Sequence, residues 1–170
     1  AKVAGTVLLS RLAASQPLDF LVLYSSSTAV LGASGFAHYA AANQFLDAFA
    51  EAEDRPGRRV LSVNWGTWEV MRGASDAAQQ DYRRPGLEPM RTVEALDALG
   101  RMLSSDAPRK LVARIDWARL KPLLESRRAR PMLEALDRAA GRPAASGPGA
   151  APGRGRATLE QPLARRPAGQ

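Results

Sequence analysis

Tyr39 and Asn43 stand one helical turn apart in the stretch His38-Tyr39-Ala40-Ala41-Ala42-Asn43, and a serine triple, Ser25-Ser26-Ser27, lies about thirteen residues upstream. Lys2 lies 24 residues before Ser26. A phenol, a hydroxyl, an ammonium and an amide are together the groups that hand a proton to a ketone while a hydride attacks its carbon. Free tyrosine is a weak acid, with a pKa of about 10, and a nearby ammonium favours its anionic form. A serine hydroxyl can bind the carbonyl oxygen on which negative charge develops. Asn43, four residues after Tyr39, shares its helix face. Together these side chains predict the proton-donating side of a reductase site.

That chemistry needs a frame. Val3, Val7, Leu8 and Leu12 recur at helical spacing, so residues 2–15 read as a helix stopped by Pro17. Phe20-Leu21-Val22-Leu23-Tyr24 is a short continuous apolar run, the pattern of a parallel strand covered on both faces. Residues 25–35, rich in small side chains, read as a loop leaving the carboxyl end of that strand, where open α/β sheets place their ligands. Residues 36–53 read as a helix with Phe45, Leu46 and Phe49 on its apolar face. A turn follows over residues 54–59, then a second buried strand from Val60 to Trp65. Thr92 is expected to cap a helix through Leu103, with Val93, Leu96, Leu99 and Leu103 as its stripe. Lys110 to Ile115 reads as a last strand, with Asp116 capping the helical stretch behind it. Strand, helix, strand, helix, strand gives an α/β fold with a doubly wound parallel sheet.

Ser26, a gap of twelve residues and Tyr39 resemble the short-chain dehydrogenase/reductase superfamily. Most of that superfamily has a lysine four residues after the tyrosine; here Asn43 takes the place and Lys2 lies upstream. The exchange resembles the ketoreductase (KR) domains of modular type I polyketide synthases. So do the strings Lys2-Val3-Ala4-Gly5-Thr6, Tyr24-Ser25-Ser26, Val30-Leu31-Gly32 and Asn64-Trp65-Gly66, and the likeness runs from Ala1 to about Leu124. It implies NADPH as the hydride donor. It also implies a β-ketoacyl group on the phosphopantetheine arm of an acyl carrier protein as the substrate. Under it, Tyr39 donates the proton, Ser26 binds the carbonyl oxygen, Lys2 is the cation beside the phenol, and Asn43 holds the lysine and orders the relay. Asn64, Trp65, Gly66 and Thr67 follow a strand end where the family's backbone meets the nicotinamide carboxamide; Thr67 replaces the usual proline. Residues 69–81 correspond to the lid over the substrate arm.

No G-x-G-x-x-G occurs in the 170 residues, although a reductase of this kind cradles the cofactor pyrophosphate with such a turn. Residues 1–138 therefore read as the C-terminal half of a ketoreductase domain with a Rossmann-like doubly wound sheet. Its missing N-terminal half is expected as a partner. Residues 139–170, dominated by Ala, Gly, Pro and Arg, read as a disordered linker toward a carrier domain. Such a composition buries too little apolar surface to offset the entropy of ordering.

The tail's five arginines against Glu160 supply a net +4 of the chain's formal +7. The basic balance is thus a property of the tail, and no nucleic-acid partner is expected. Without cysteine, and with His38 as the only histidine, neither a disulfide framework nor a metal site is expected. No run of eighteen apolar residues occurs, so no membrane partner is expected and the location reads as cytoplasmic. His38 reads as a residue at a helix start, and Ser25 and Ser27 as turn residues bonding local backbone. Asp47, Glu51, Glu53 and Asp54 read as the charged, solvent-facing end of a helix. Two readings stay open for the whole chain: a working part of an NADPH-dependent ketoreductase, or a non-catalytic remnant of one.

Overall fold

Val60, Leu61 and Val63 expose none of their surface and Trp65 only 7%; β-branched and aromatic residues in such a run suit a strand covered on both faces. The computed structural model describes residues 1–70 and 85–139, and these four residues lie in its central strand. The order is α1 (Lys2–Leu12), a 3₁₀ turn (Ala13–Ser15), β1 (Phe20–Ser26), α2 (Ser27–Leu31), α3 (Ala37–Glu53) and β2 (Arg59–Trp65). Then come β3 (Leu87–Glu88), α4 (Thr92–Leu103), β4 (Arg109–Val112), β5 (Arg114–Ile115) and α5 (Trp117–Leu124). These belong to a unit of residues 1–130. A second unit starts at Pro131; its described part is a 3₁₀ turn (Pro131–Leu133) and helix α6 (Glu134–Ala139).

The main sheet has the order β1-β2-β4 and is parallel throughout. β1 pairs with β2 over its whole length, from Phe20 opposite Arg59 to Ser26 opposite Trp65. β2 serves two helix layers by alternation. Val60 packs with Leu23 of β1 and with Leu46 and Ala50 of α3. Leu61, Val63 and Trp65 pack on the opposite face with Met90 and with Ala95 and Met102 of α4. Helices on both faces of a parallel sheet make the doubly wound, Rossmann-like arrangement that the strand and helix order predicts. Fully burying a valine or leucine is worth about 1.5–3 kcal/mol, so β2 concentrates the stabilising contacts directly beneath the chemistry-bearing strand ends.

Several elements depart from the sequence reading. The loop expected over residues 25–35 is mostly ordered backbone: β1 continues through Ser26, which caps the five-residue α2 by accepting the Thr28 N–H at 3.2 Å. Gly32 and Gly35 then turn the chain with φ of 73° and 79°, a region open to glycine without strain. Thr92 begins α4 without capping it. Arg91 holds the cap position, and the Glu94 carboxylate accepts from its backbone N–H at 3.2 Å and its Nε at 2.9 Å. The stripe of α4 is also rotated: Ala95 and Met102 are buried, while Val93 and Leu96 are 56% and 53% exposed. Leu99 and Leu103 pack on the core in either case, and the layer formed by Trp65 and Met90 selects the face that carries Ala95 and Met102.

The last expected strand, 110–115, divides at Ala113. β4 stays in the parallel sheet, whereas β5 pairs antiparallel with β3. Gly66 lies against this break, and a Cβ there would come 2.7 Å from the Ala113 Cβ. Asp116 does cap α5, accepting the Ala118 N–H at 3.0 Å. α1 ends before Pro17 as expected but is turned relative to its apolar pattern. Its buried residues are Thr6 and Ser10, and Leu8 and Leu12 are 58% and 64% exposed. Small side chains let α1 pack on α3, and Ser10 Oγ accepts from the Arg58 guanidinium. Of the expected lid over residues 69–81, the part from Met71 to Asp81 lies outside the described residues, as does the expected linker beyond Ala139. Among the described residues no helix is long and apolar enough to cross a membrane.

Candidate active site

The β1–β2 register sets Ser25 opposite Asn64 and Ser26 opposite Trp65, at the carboxyl ends of both strands. Ser26 Oγ accepts from the backbone N–H of Thr28 at 3.2 Å and from its Oγ1 at 3.1 Å. A hydroxyl has two acceptor positions and one proton. With both acceptor positions used, the Ser26 proton is left to donate to a further partner. Ser26 lines a cavity of about 280 Å³ together with Lys2, Tyr39, Trp65, Thr67 and Trp68, close to the lower end of small-molecule sites. Trp65 sits between Tyr24, with ring centres 5.7 Å apart, and Trp68, edge-on at 4.9 Å. Trp68 directly follows the Asn64–Thr67 string and lines the same cavity.

Lys2 comes to this cavity from the first turn of α1. Its Nζ donates to Asn43 Oδ1 at 2.6 Å and to the Tyr24 carbonyl at 2.7 Å, and lies 5.5 Å from the centre of the Tyr39 ring. Asn43 is fully buried, so both ends of its amide must find partners inside the protein. They do: Oδ1 takes Lys2, and Nδ2 donates to the Tyr39 carbonyl at 2.8 Å. One side chain thus ties the ammonium to the helix turn that carries the phenol. A cation at this distance is attracted to the face of the ring. The structure therefore brings Lys2, Ser26, Tyr39 and Asn43 together.

The residues expected beside a nicotinamide divide. Trp65, Gly66 and Thr67 line the cavity, but Asn64 is fully buried behind it. Its Nδ2 donates to Asp47 Oδ2 at 2.7 Å, to Ser25 Oγ at 2.9 Å and, more weakly, to the Ser26 carbonyl at 3.3 Å. The Asn64 side chain is accordingly a strut between strand ends. Ser25 is no local turn residue either, for its hydroxyl donates across to the Asn43 carbonyl in α3 at 3.1 Å.

Asp47 is the largest departure. Expected at a solvent-facing helix end, it exposes none of its surface and accepts from Ser62 Oγ at 2.6 Å besides Asn64. The signal was present in the spacing: Tyr39, Asn43 and Asp47 follow at intervals of four and share one helix face. Glu51 and Glu53 do lie at the surface, in ion pairs with Arg109 and Arg55. Asp54 accepts from Arg59 at 2.6 Å and from the Val60 N–H at 2.9 Å, which fixes the turn into β2. His38 is exposed beside the Phe36 ring. Among the described residues no group of three His, Cys, Asp or Glu side chains could hold a metal ion.

The KR domain family model matches residues 1–70. The fold superposes on a structure of A-type ketoreductases from a modular polyketide synthase with a TM-score of 0.74, at 33% identity over 82% of this chain. The chain is thus similar to the ketoreductase domains of modular polyketide synthases. The first ketoreductase of the tylosin synthase is similar to it at 39% identity, with a TM-score of 0.67 over 75% of the chain. Among curated proteins, this chain is 39% identical over 162 residues to the pikromycin polyketide synthase component PikAIII of Streptomyces venezuelae. It is 37% identical over 135 residues to the erythronolide synthase EryA3 of Saccharopolyspora erythraea. It spans 30% and 28% of the two solved ketoreductase chains, and 10% and 4% of the two synthases.

Proposed function

We propose that this chain forms the proton-donating part of an NADPH-dependent β-ketoacyl reductase in polyketide biosynthesis. The observation that carries the reading is the clamp of Lys2 by Asn43 beside the Tyr39 ring, on a cavity that Ser26 also lines. The substrate would be a β-ketoacyl thioester on the phosphopantetheine arm of an acyl carrier protein, and the product a β-hydroxyacyl thioester. Ser26, whose proton is left to donate outward, binds the ketone oxygen as negative charge builds on it. Tyr39 releases its phenolic proton to the same oxygen. Lys2 stabilises the phenolate that remains, and Asn43 keeps the ammonium in place.

The chemistry of the cavity fits the reacting end of a nicotinamide cofactor: Trp65 and Trp68 offer an apolar wall, and Thr67 a polar group at its edge. When bound, that cofactor supplies the hydride. Its phosphate end has no glycine-rich turn in this sequence. We therefore read residues 1–138 as the C-terminal half of the reductase domain and residues 139–170 as a linker toward the carrier. Support comes from the outer edge of β1, which has no strand beside it among the described residues. Phe20 and Tyr24 are 48% and 51% exposed there.

The test is Tyr39→Phe in the full-length synthase, with reduction of a β-ketothioester followed by NADPH absorbance. General acid catalysis contributes about a hundred- to ten-thousand-fold. Turnover is expected to fall within that range while NADPH binding stays unchanged. A variant that keeps more than half of the parental rate removes Tyr39 as the proton donor.

A further inference from the structure

We propose that Asp47, which touches neither the cavity nor Lys2, is a positioning residue for this site: it sets the direction of a buried hydrogen-bond chain that pins α3 to β1. The inference rests on the reduction reading above. A carboxylate can only accept hydrogen bonds, whereas an asparagine side chain can present either its oxygen or its NH₂ group. Asp47 Oδ2 lies 2.7 Å from the Asn64 amide and so compels Asn64 to face it with Nδ2. The same NH₂ group then donates to Ser25 Oγ at 2.9 Å. Ser25 has one proton, and with its oxygen accepting from Asn64 that proton goes to the Asn43 carbonyl at 3.1 Å.

The consequence reaches both sides of the cavity. Asn43 is the residue that clamps Lys2 and bonds the Tyr39 carbonyl, and Asn64 also reaches the carbonyl of Ser26 at 3.3 Å. Turned the other way, Asn64 would set its oxygen against the Asp47 carboxylate and draw the Ser25 proton away from α3. Asp47, Asn64 and Asn43 all have no exposed surface, and Ser25 only 5%, so bulk water does not reach a lost partner. Asn64 Oδ1 has no partner among the described residues, which leaves the orientation of the amide to its NH₂ side alone. A misplacement of about 1 Å at a reacting group can cost about a hundredfold in rate.

The experiment uses the full-length synthase and reads kcat, KM, melting temperature and amide exchange at Ser26 to Thr28. Asp47→Asn is expected to lower kcat by at least tenfold with KM for NADPH unchanged, and to speed exchange at those amides. Ser62→Ala, which removes only the other donor to Asp47, is expected to lower the melting temperature with kcat within twofold. The exchanged pair Asp47→Asn with Asn64→Asp restores a charge-to-amide contact but leaves an acceptor facing Ser25. It is expected to recover melting temperature without recovering kcat. Recovery of kcat together with melting temperature would show a purely structural pair and overturn the proposal, as would an Asp47→Asn enzyme with more than half the parental kcat. If the parent reduces ketothioesters and loses that activity in Tyr39→Phe, the reduction reading stands whatever Asp47 does. A parent that reduces none removes both.

Discussion

Lys2→Met is the sharpest perturbation of the site, because it deletes a charge and keeps the length of the side chain. The ammonium lies 5.5 Å from the Tyr39 ring centre. Taking the ring centre as the seat of the phenolate charge, with an effective dielectric constant of about 20, the attraction is about 3 kcal/mol. At about 1.36 kcal/mol per tenfold in rate, that is about a hundredfold in the proton-transfer step. Lys2 is partly exposed, and water screens the attraction, so the loss in kcat should fall between about tenfold and a hundredfold. A second effect is separable. Asn43 Oδ1 loses the donor 2.6 Å away in a place with no solvent exposure, which costs about 1–3 kcal/mol of stability. The assay is single-turnover reduction of a β-ketothioester by the full-length synthase, well below the melting temperature of the variant, with melting followed in parallel. A lower melting temperature with kcat within threefold of the parent would refute the electrostatic role and leave Lys2 as a strut for Asn43.

Gly66→Ala should destabilise the domain by about 1–3 kcal/mol, the range of overpacked sites, because its Cβ would lie 2.7 Å from the Ala113 Cβ and 3.0 Å from the Ala113 Cα; chemical denaturation measures this, and an unchanged midpoint would contradict it. Residues 1–170 alone should self-associate in size-exclusion chromatography through the open β1 edge and the outward leucines of α1, and should show no micromolar NADPH binding by calorimetry. A compact monomer with protected amides at Leu21 to Leu23 would count against the half-domain reading. The Glu125 carboxyl is held below the ordinary carboxylate range, first by its bond to Lys121 and then by the Arg130 backbone N–H. Its stabilisation is therefore complete above about pH 4.3 and is lost as pH falls through the lower folded value. Glu125→Gln should lower the melting temperature by a constant amount above about pH 5, and the gap should close below that.

Much of this protein follows from local pattern. The apolar runs of β1 and β2, the stop at Pro17 and the Asp116 cap depend on neighbours a few residues away, and each is found where the sequence puts it. The same holds for the interval of four that places Asn43 under Tyr39. A four-residue interval is a property of any helix. It already placed Asp47 on that face, and only the usual preference of carboxylates for water argued it outward.

Tertiary structure decided what lies on the other side of each face. Periodicity says that α1 and α4 each have an apolar stripe, but the packing of α1 on α3 buries Thr6 and Ser10 instead, and the Trp65 layer turns Ala95 and Met102 inward. The hydrogen bonds that build the site join residues far apart in the chain, Lys2 to Asn43 across 41 positions and Asn64 to Ser25 across 39. Their partners are set by the register of β1 on β2 and by the depth at which α3 lies on that sheet. A buried amide or carboxylate must be satisfied by whatever the neighbouring element presents. For that reason the identity of Asn64 and Asp47 acquires meaning only once the two strands and the helix have met.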